Sequence, residues 1–323
     1  MSLSLKPTIA KDYEAAVKGV AYYVVPEPGY VQVSGDTRRD YLQRQTTNDL
    51  DLLTPMRALP TILTSPSGRI LEVFTLIENG DAIGLLTQPG HGPGLAAYFQ
   101  KRVFFNDNVS IEDQSARWAQ IEMHGPGAAA KLNDLGFAHT PALDEIVEAD
   151  WQKSKLRAIG RESLADHPSF HLILPVGKFD QLTNRLVNDR VESLSDESLE
   201  TLRIEAGLPG TPEFNQEYTP FEVGLDRLVS AEKGCYTGQE VLARQVTYDK
   251  VVRHLVQLRA EHPLQAGAAI HAEGKNVGQI TSAARSPRLG RVALAMIRKP
   301  YDQPGTQVEI KANGVFSAFT YAV

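Results

Sequence analysis

The chain has 323 residues, of which 42% are hydrophobic and 22% charged, which is typical of a globular protein of two or three domains. Its net charge of −6 argues against a nucleic-acid-binding face, and no apolar run reaches the roughly 18 residues that a membrane span needs. The single cysteine excludes an intramolecular disulfide and fits a reducing compartment, so we expect a cytoplasmic protein that binds neither nucleic acid nor membrane.

Up to residue 190 the chain alternates between strand-like and helix-like segments. Ser65-Pro66-Ser67-Gly68 has turn chemistry and predicts a hairpin between its flanking strands. The order of elements recurs once, which favours two related α+β halves. Strands are predicted at 30–33, 58–63, 70–77, 81–86, 118–123, 156–159 and 170–174. Helices are predicted at 36–44, with Asp36 as N-cap, and at 94–101, 128–135 and 177–188.

After residue 246 the pattern changes to short strands separated by Gly, Pro and Asn. Asn276-Val277-Gly278 and Asn313-Gly314 have the composition of turns. Short strands at regular spacing favour a small sheet or barrel, so we predict two domains, residues 1–246 and 247–323. The predicted strands are 255–258, 269–271, 278–281, 292–297, 307–310 and 315–321.

The only cysteine lies in the octet Lys233-Gly234-Cys235-Tyr236-Thr237-Gly238-Gln239-Glu240, just before a helix-like run. A thiol near a cation and a helix N-terminus has a lowered pKa, so Cys235 is a candidate reactive thiol and Lys233 the group that favours its thiolate. A small buried side chain in a loop is the simpler alternative, because free cysteines are usually buried. The polar neighbours and the two glycines, which allow close approach of the backbone, favour the reactive thiol.

Two histidines and one glycine-rich run give weaker patterns. His167 and His171 are four residues apart, but Pro168 disfavours the helix on which that spacing would chelate a metal. Packing or solvated histidines are the simpler interpretation, and we predict no metal site. The run 90–94 lacks the spacing of a nucleotide-binding loop. Without a Cys-x-x-Cys pair, the chain cannot build a multi-cysteine cluster site of its own.

Glu205 is the best candidate among the carboxylates. It lies in Leu202-Arg203-Ile204-Glu205-Ala206-Gly207, an apolar segment closed by glycine. An exposed helical glutamate paired with Arg203 or Arg227 is the alternative.

The octet resembles the signature of the YgfZ-type proteins, folate-dependent factors for iron–sulfur cluster assembly within the superfamily of the glycine-cleavage T-proteins. The T-proteins themselves are folate-dependent aminomethyltransferases. The resemblance implies an α+β, T-protein-like folate-binding fold with ferredoxin-like subdomains and a small C-terminal β-barrel. Further segments similar to the superfamily are Val33-Ser34-Gly35, Tyr41-Leu42-Gln43, Thr46-Thr47-Asn48-Asp49, Leu202–Gly207, Thr219-Pro220-Phe221-Glu222, Ser286-Pro287-Arg288-Leu289-Gly290 and Ala293-Leu294-Ala295.

The resemblance also implies a cofactor and a set of binding residues. Tetrahydrofolate, or a one-carbon derivative of it, would bind a central cavity with Glu205 on its amino-pyrimidine ring. Arg227 and Arg244 would meet its glutamate tail, and Tyr236 and Gln239 belong to the same predicted set. The implied function is the assembly or repair of iron–sulfur clusters in client enzymes, through transient contact of a monomer with client proteins or assembly factors.

The chain departs from the T-proteins where those carry an Asp-Asp pair after a Gly-Gly-Ile-like turn. The corresponding stretch is Gly68-Arg69-Ile70-Leu71-Glu72-Val73, and Pro60 replaces a tyrosine common in T-proteins. These changes alter the groups that would position the reacting nitrogens of folate, so they argue against aminomethyl transfer. Two alternatives stay open: a true folate-dependent aminomethyl- or methyltransferase, and a non-catalytic interaction module.

Overall fold

Two β-sheets and a barrel organise the part of the chain that the computed structural model describes, residues 10–311 and 315–323. Its helices are α1 (Lys11–Lys18), α2 (Arg38–Gln45), α3 (Gly92–Gln100), α4 (Ala128–Asp134), α5 (Phe179–Asn188), α6 (Asp196–Glu205) and α7 (Gln239–Thr247). The strands of the two sheets are β1 (Ala21–Val24), β2 (Gly29–Ser34), β3 (Leu59–Thr64), β4 (Ile70–Asn79), β5 (Ala82–Thr87), β6 (Ser110–Asp113), β7 (Trp118–His124), β8 (Ile146–Trp151), β9 (Ser154–Leu164), β10 (His167–Pro175) and β11 (Glu192–Ser193). The barrel strands are β12 (Arg253–Ala260), β13 (Ala269–Ala272), β14 (Lys275–Ser286), β15 (Gly290–Arg298), β16 (Gln307–Lys311) and β17 (Val315–Tyr321).

The first sheet has the strand order β3-β4-β5-β2-β6, and one of its faces packs against α2 and α3. The predicted hairpin is confirmed, because β3 and β4 pair antiparallel around a turn in which Gly68 has a φ of +70°. The predicted N-cap is wrong. Helix α2 begins at Arg38, and the carboxylate of Asp36 instead accepts a hydrogen bond from the side chain of Asn108 at 3.0 Å.

The second sheet has the strand order β11-β1-β7-β10-β9-β8. Its outer face packs against α4 and α5 through residues such as Ile121, Met123 and Leu172. Its inner face meets the first sheet through a small apolar cluster that includes Ile159 and Ile173. Strand β1 precedes the whole first sheet in the chain, so the two sheets are interleaved in sequence.

The C-terminal strands form a closed barrel in the order β12-β15-β14-β13-β16-β17, and all six predicted strands are present. The mixed α/β fold with a small C-terminal β-barrel is therefore confirmed. The turn predicted at Asn276-Val277-Gly278 is wrong, because those residues lie in β14 and the turn is at Glu273-Gly274, where both φ angles are positive. The turn predicted at Asn313-Gly314 lies outside the described residues.

The barrel is joined to the first sheet and α6 through a shared apolar cluster that includes Ile62, Ile204, Leu255 and Leu294. Helix α7 ends at Thr247, and the first barrel strand begins at Arg253. Within the described residues, no helix has the length and apolar character to cross a membrane.

Candidate functional site

The cysteine octet forms a loop that is fixed against the first sheet. The ammonium of Lys233 is buried and donates to the backbone carbonyls of Gln43, Thr46 and Asn48, each at 2.7 Å. On the other side of the loop, the hydroxyl of Thr64 donates to the carbonyl of Thr237 at 2.6 Å. The octet is therefore fixed at both ends to the first sheet and to the segment that follows α2.

Cys235 is exposed on this loop. An ammonium has three N–H donors, and Lys233 uses all three on carbonyls, so none is left for the thiol. Burial lowers the pKa of Lys233 to about 8, while the charges of Asp49 and Asp51 oppose that shift. The structure thus gives Lys233 a role in holding the loop, and its predicted influence on the thiolate can act only through its electric field.

Tyr236 and Gln239, both predicted to bind folate, also help to hold the loop. The ring centroid of Tyr236 lies 5.5 Å from the Lys233 ammonium, and burial raises the pKa of the Tyr236 hydroxyl to about 12. The side-chain amide of Gln239 donates to the carbonyl of Lys233 at 3.3 Å. Gly238 precedes α7 with a φ of +86°, and a Cβ there would come within 2.5 Å of the Ser65 carbonyl oxygen, so glycine is required.

Glu205 ends α6, and its carboxylate lies in a dense network of donors. One oxygen, Oε1, accepts from the hydroxyls of Tyr13, at 2.6 Å, and Ser286. The other, Oε2, accepts from Nε of Arg288 at 2.9 Å and lies 2.8 Å from Nη2 of the same guanidinium as an ion pair. The side chain of Glu205 is 0% exposed, so it is not the exposed glutamate of the alternative interpretation, and both of its oxygens are occupied by protein donors.

A cavity of about 480 Å³ lies beside this network, between the second sheet, α6 and the barrel. Its two cations are Arg288 and Arg259, and the guanidinium of Arg259 stacks 4.2 Å from the ring centroid of Tyr321. The volume is within the range of small-molecule sites. The lining residues are Ser163, Ala165, Asp166, Glu205, Ala206, Arg259, Arg288 and Leu289.

The two arginines predicted to meet the folate tail lie elsewhere. Arg227 pairs with Asp144 at 2.8 Å and with Glu162 at 3.0 Å. Arg244 is exposed and pairs with Glu240 on the same helix. Neither these arginines nor the octet line the Glu205 cavity, so the structure does not bring the predicted binding residues together at one place.

Strand β4 places no carboxylate where the T-proteins have their second aspartate. Val73 packs in the apolar cluster that joins the first sheet, α6 and the barrel. Glu72 instead contacts the start of α3, where its carboxylate lies 2.6 Å from Nδ1 of His91. Burial raises the pKa of Glu72, although the contact with His91 opposes that shift.

The sequence did not single out several residues that the structure brings together. Tyr13 reaches Glu205 across 192 residues of sequence, and nothing local in either segment indicates the contact. Glu122 and His124 converge on the inner face of the second sheet with His171, which the sequence had offered only as one of a histidine pair. The alternation of Gln120, Glu122 and His124 along β7 was the available signal, since alternate residues of a strand share a face.

The chain matches the family described as GCVT N-terminal domain over residues 3–233, and the glycine cleavage T-protein C-terminal barrel domain over residues 253–321. An aminomethyltransferase of Bacillus subtilis (strain 168) is 29% identical over 316 residues, which are 94% of this chain and 86% of that protein. An Arabidopsis thaliana protein named as a candidate chloroplastic transferase is 26% identical over 319 residues, covering 95% of this chain and 72% of that protein. The crystal structure of glycine cleavage system aminomethyltransferase T from Bartonella henselae has the same fold, with a TM-score of 0.84, 21% identity, and coverage of 97% of this chain and 88% of that one.

Proposed function

Since this chain belongs to the glycine cleavage T-protein family, we propose that it binds tetrahydrofolate and, through Cys235, supports the assembly or repair of iron–sulfur clusters in client enzymes of the cytoplasm. Aminomethyltransferases of this family use tetrahydrofolate, which supports the cofactor at the level of the family. The observation that carries the iron–sulfur part is the exposure of the only thiol on a loop that is fixed at both ends.

The cavity beside Glu205 fits tetrahydrofolate in volume and in charge. A folate carries two carboxylates on its glutamate tail, and Arg259 is the cavity cation that is not engaged by Glu205. We therefore assign the tail to Arg259 in place of Arg227 and Arg244. The pterin ring would pair with Glu205 by exchanging its own N–H donors for those of Arg288, because both oxygens of the carboxylate already accept hydrogen bonds from the protein.

The apolar surroundings of Val73 favour folate binding without ordinary aminomethyl transfer. A catalytic carboxylate must reach the reacting atoms, and Glu72 is directed towards His91 instead. The remaining reactive candidate of the chain is Cys235. A thiol on a fixed and exposed loop can meet a client protein, as a nucleophile, a redox thiol or a transient metal ligand.

The proposal is tested by complementing a strain that lacks the protein with the wild-type chain or with a variant in which oxygen replaces the sulfur of Cys235. In a strain that lacks it, the wild-type chain should restore the activities of several iron–sulfur enzymes, and Cys235→Ser should not. Serine keeps the shape but is a far poorer nucleophile and metal ligand. Enzymes without clusters in the same extracts serve as the control. Full restoration of the enzyme activities by Cys235→Ser would contradict the proposed role of the cysteine. Calorimetry that detects no binding of tetrahydrofolate would contradict the proposed cofactor.

A second candidate function is aminomethyl transfer, because curated relatives such as the Bacillus subtilis protein are named aminomethyltransferases. It makes the opposite prediction in a single assay. Folate-dependent turnover with the partner proteins of glycine cleavage should be present for a transferase and absent for the function proposed above.

A further inference from the structure

A polar cluster on the inner face of the second sheet lacks one hydrogen-bond donor. Gln120, Glu122 and His124 alternate along β7. Their cross-strand partners on β10 are Ile173, His171 and Ser169. The carboxylate of Glu122 lies between the two imidazole rings, with a side chain that is 27% exposed, while the side chains of His171 and His124 are 9% and 4% exposed. The site is therefore built from buried groups and still accessible from solvent.

The neighbours of His171 fix which of its ring nitrogens carries the proton. The side-chain Nε2 of Gln120 donates to the carbonyl of Gly29 at 3.1 Å, so the amide oxygen must be the atom that faces His171. That oxygen lies 2.9 Å from Nε2 of His171 and can only accept. The proton of the neutral ring is thus on Nε2, and Nδ1 is a bare acceptor.

This bare nitrogen faces another acceptor. Nδ1 of His171 lies 3.9 Å from Oε1 of Glu122 and has no hydrogen-bond partner among the described residues. Burial lowers the pKa of His171 to about 4, and the charge of Arg161 acts in the same direction, so the ring is neutral at physiological pH. A buried acceptor that faces a carboxylate oxygen needs a donor between the two.

His124 serves the other carboxylate oxygen and does not supply that donor. The backbone N–H of Leu164 donates to Oγ of Ser169, which leaves the hydroxyl proton for Nδ1 of His124 at 3.0 Å. The Nε2–H of His124 then faces Oε2 of Glu122 at 3.2 Å, although it is poorly aligned for a hydrogen bond. The missing donor therefore belongs specifically between Oε1 of Glu122 and Nδ1 of His171.

The charges around the cluster favour a cationic donor. Burial opposes the charge of Glu122, but the contact with His124 and the charge of Arg161 lower its pKa to about 2, so it is ionised. Arg161 is shared with Asp144, which also interacts with Arg227 and Glu162. Arg161 therefore does not serve Glu122 alone, and the ionised carboxylate of Glu122 is a negative charge that a cationic donor can meet.

We propose that Glu122 and His171 form a binding site for a primary ammonium group of a small ligand. A nitrogen at about 2.9 Å from each acceptor fits between atoms that are 3.9 Å apart. An ammonium supplies the two N–H donors and the positive charge together, whereas water supplies only the donors. A metal ion is a poorer fit, because within the described part of the chain no group of three His, Cys, Asp or Glu side chains has an arrangement that could hold one. The site is independent of folate binding and of Cys235.

The direct test uses protein with 15N-labelled histidine and two probes of equal charge. Methylammonium should shift the Nδ1 resonance of His171 in a saturable way, with a dissociation constant of about millimolar order, since two heavy atoms supply little binding energy. Tetramethylammonium has no N–H donor and should leave that resonance unchanged. The resonances of His171 are assigned by their loss in His171→Gln. A shift with both probes, a shift with neither, or an Nδ1–H tautomer in the free protein would overturn the proposal.

A second variant separates the site from the fold. In Glu122→Gln, the side-chain amide itself can donate to Nδ1 of His171, so the variant should fold and should bind methylammonium at least tenfold more weakly. Glu148→Gln, on edge strand β8 where Glu148 pairs with Arg157, makes the same charge change outside the cluster and should bind like the wild type. Unchanged binding by folded Glu122→Gln, or equal loss in both variants, would refute the site. So would saturable Zn²⁺ binding at the same histidines that displaces methylammonium.

Discussion

Two glutamates, the buried Glu205 and the partly exposed Glu122, show how differently the same side chain can be used. The carboxylate of Glu205 accepts from Tyr13, Ser286 and Nε of Arg288, and it lies 2.8 Å from Nη2 of that arginine. The carboxylate of Glu122 faces two histidines and has an acceptor opposite one of its oxygens. A carboxylate whose two oxygens both accept hydrogen bonds from the protein stabilises its surroundings. A carboxylate that lacks a donor can bind a ligand without breaking any contact within the protein. The charge and burial of a glutamate therefore do not indicate its role until its donors are counted.

The largest effect on stability should come from removing Arg288, the cationic donor to the carboxylate of Glu205. Arg288→Ala should lower the free energy of unfolding by roughly 3 kcal/mol, because it leaves the charge of Glu205 buried without its cation. Urea unfolding followed by circular dichroism measures the change. In the double variant with Glu205→Gln most of the loss should be recovered. A loss below about 0.5 kcal/mol in the single variant would mean that the cluster is not saturated in solution.

The polar cluster of Glu122 and His171 should make the free energy of unfolding depend on pH. The pKa of His171 is about 4 in the folded chain and about 6.5 in the unfolded chain, so between these values only the unfolded chain binds the proton. Stability then falls as the pH falls from about 6.5 to 4, by up to about 1.4 kcal/mol per pH unit from this residue. His171→Gln should remove that part of the slope. The loss of stability that comes from protonating Glu122 occurs at lower pH, because the pKa of Glu122 in the folded chain is about 2.

Unfolding curves of the wild type and of His171→Gln at several pH values give this comparison. Glu122, His124 and Arg161 face His171 in both proteins, so their contributions largely cancel in the difference. Parallel stability profiles would show that His171 is protonated, or solvated, in the folded chain, and the contrast between the two glutamates would disappear.

Glu205 should also contribute to ligand affinity if pterin replaces Arg288 as its partner. Glu205→Ala should weaken tetrahydrofolate binding by roughly 1–3 kcal/mol, the cost of leaving hydrogen-bond donors unpaired. Isothermal titration calorimetry measures the affinity. Glu200→Ala is the control, because Glu200 is on the same helix and does not line the cavity. An unchanged dissociation constant in a folded variant would make Glu205 a purely structural residue.

The smallest effect on stability is expected at the cysteine. Cys235 is exposed, so Cys235→Ser should change the free energy of unfolding by less than about 0.5 kcal/mol. In the native wild type, iodoacetamide should alkylate Cys235 completely without unfolding. Protection of the thiol in the folded protein would contradict the exposed loop. Strong destabilisation by Cys235→Ser would show that Cys235 contributes to the contacts that hold the octet in place.

Much of the fold could be predicted from sequence, because local signals determine it. Turn residues and alternation gave the β3–β4 hairpin and all six barrel strands. The missed elements, such as α1, β1 and β8, are short, and β1 is held by strands far away in sequence. The Asp36 cap failed because its carboxylate has a distant partner, Asn108.

The candidate site was less predictable than the fold. Sequence singled out Glu205, Lys233 and Cys235 by residue type and neighbours, but not what surrounds them. The three donors of Lys233 go to carbonyls, which no pattern of side chains records. The arginines beside Glu205 come from the barrel, so they depend on how the domains pack.

The interleaving of the two sheets has a consequence for how this protein is made. Tyr13 can form its hydrogen bond only after Glu205, which is 192 residues later in the chain, has been synthesised. Strand β1 can pair only after β7 and β11 have been synthesised. At about 5–20 residues per second, a ribosome needs roughly ten to forty seconds to supply that partner. Throughout that interval the apolar edge of the N-terminal segment is exposed on a nascent chain. Chaperones that bind such segments are therefore expected to act on this protein during its synthesis rather than after release.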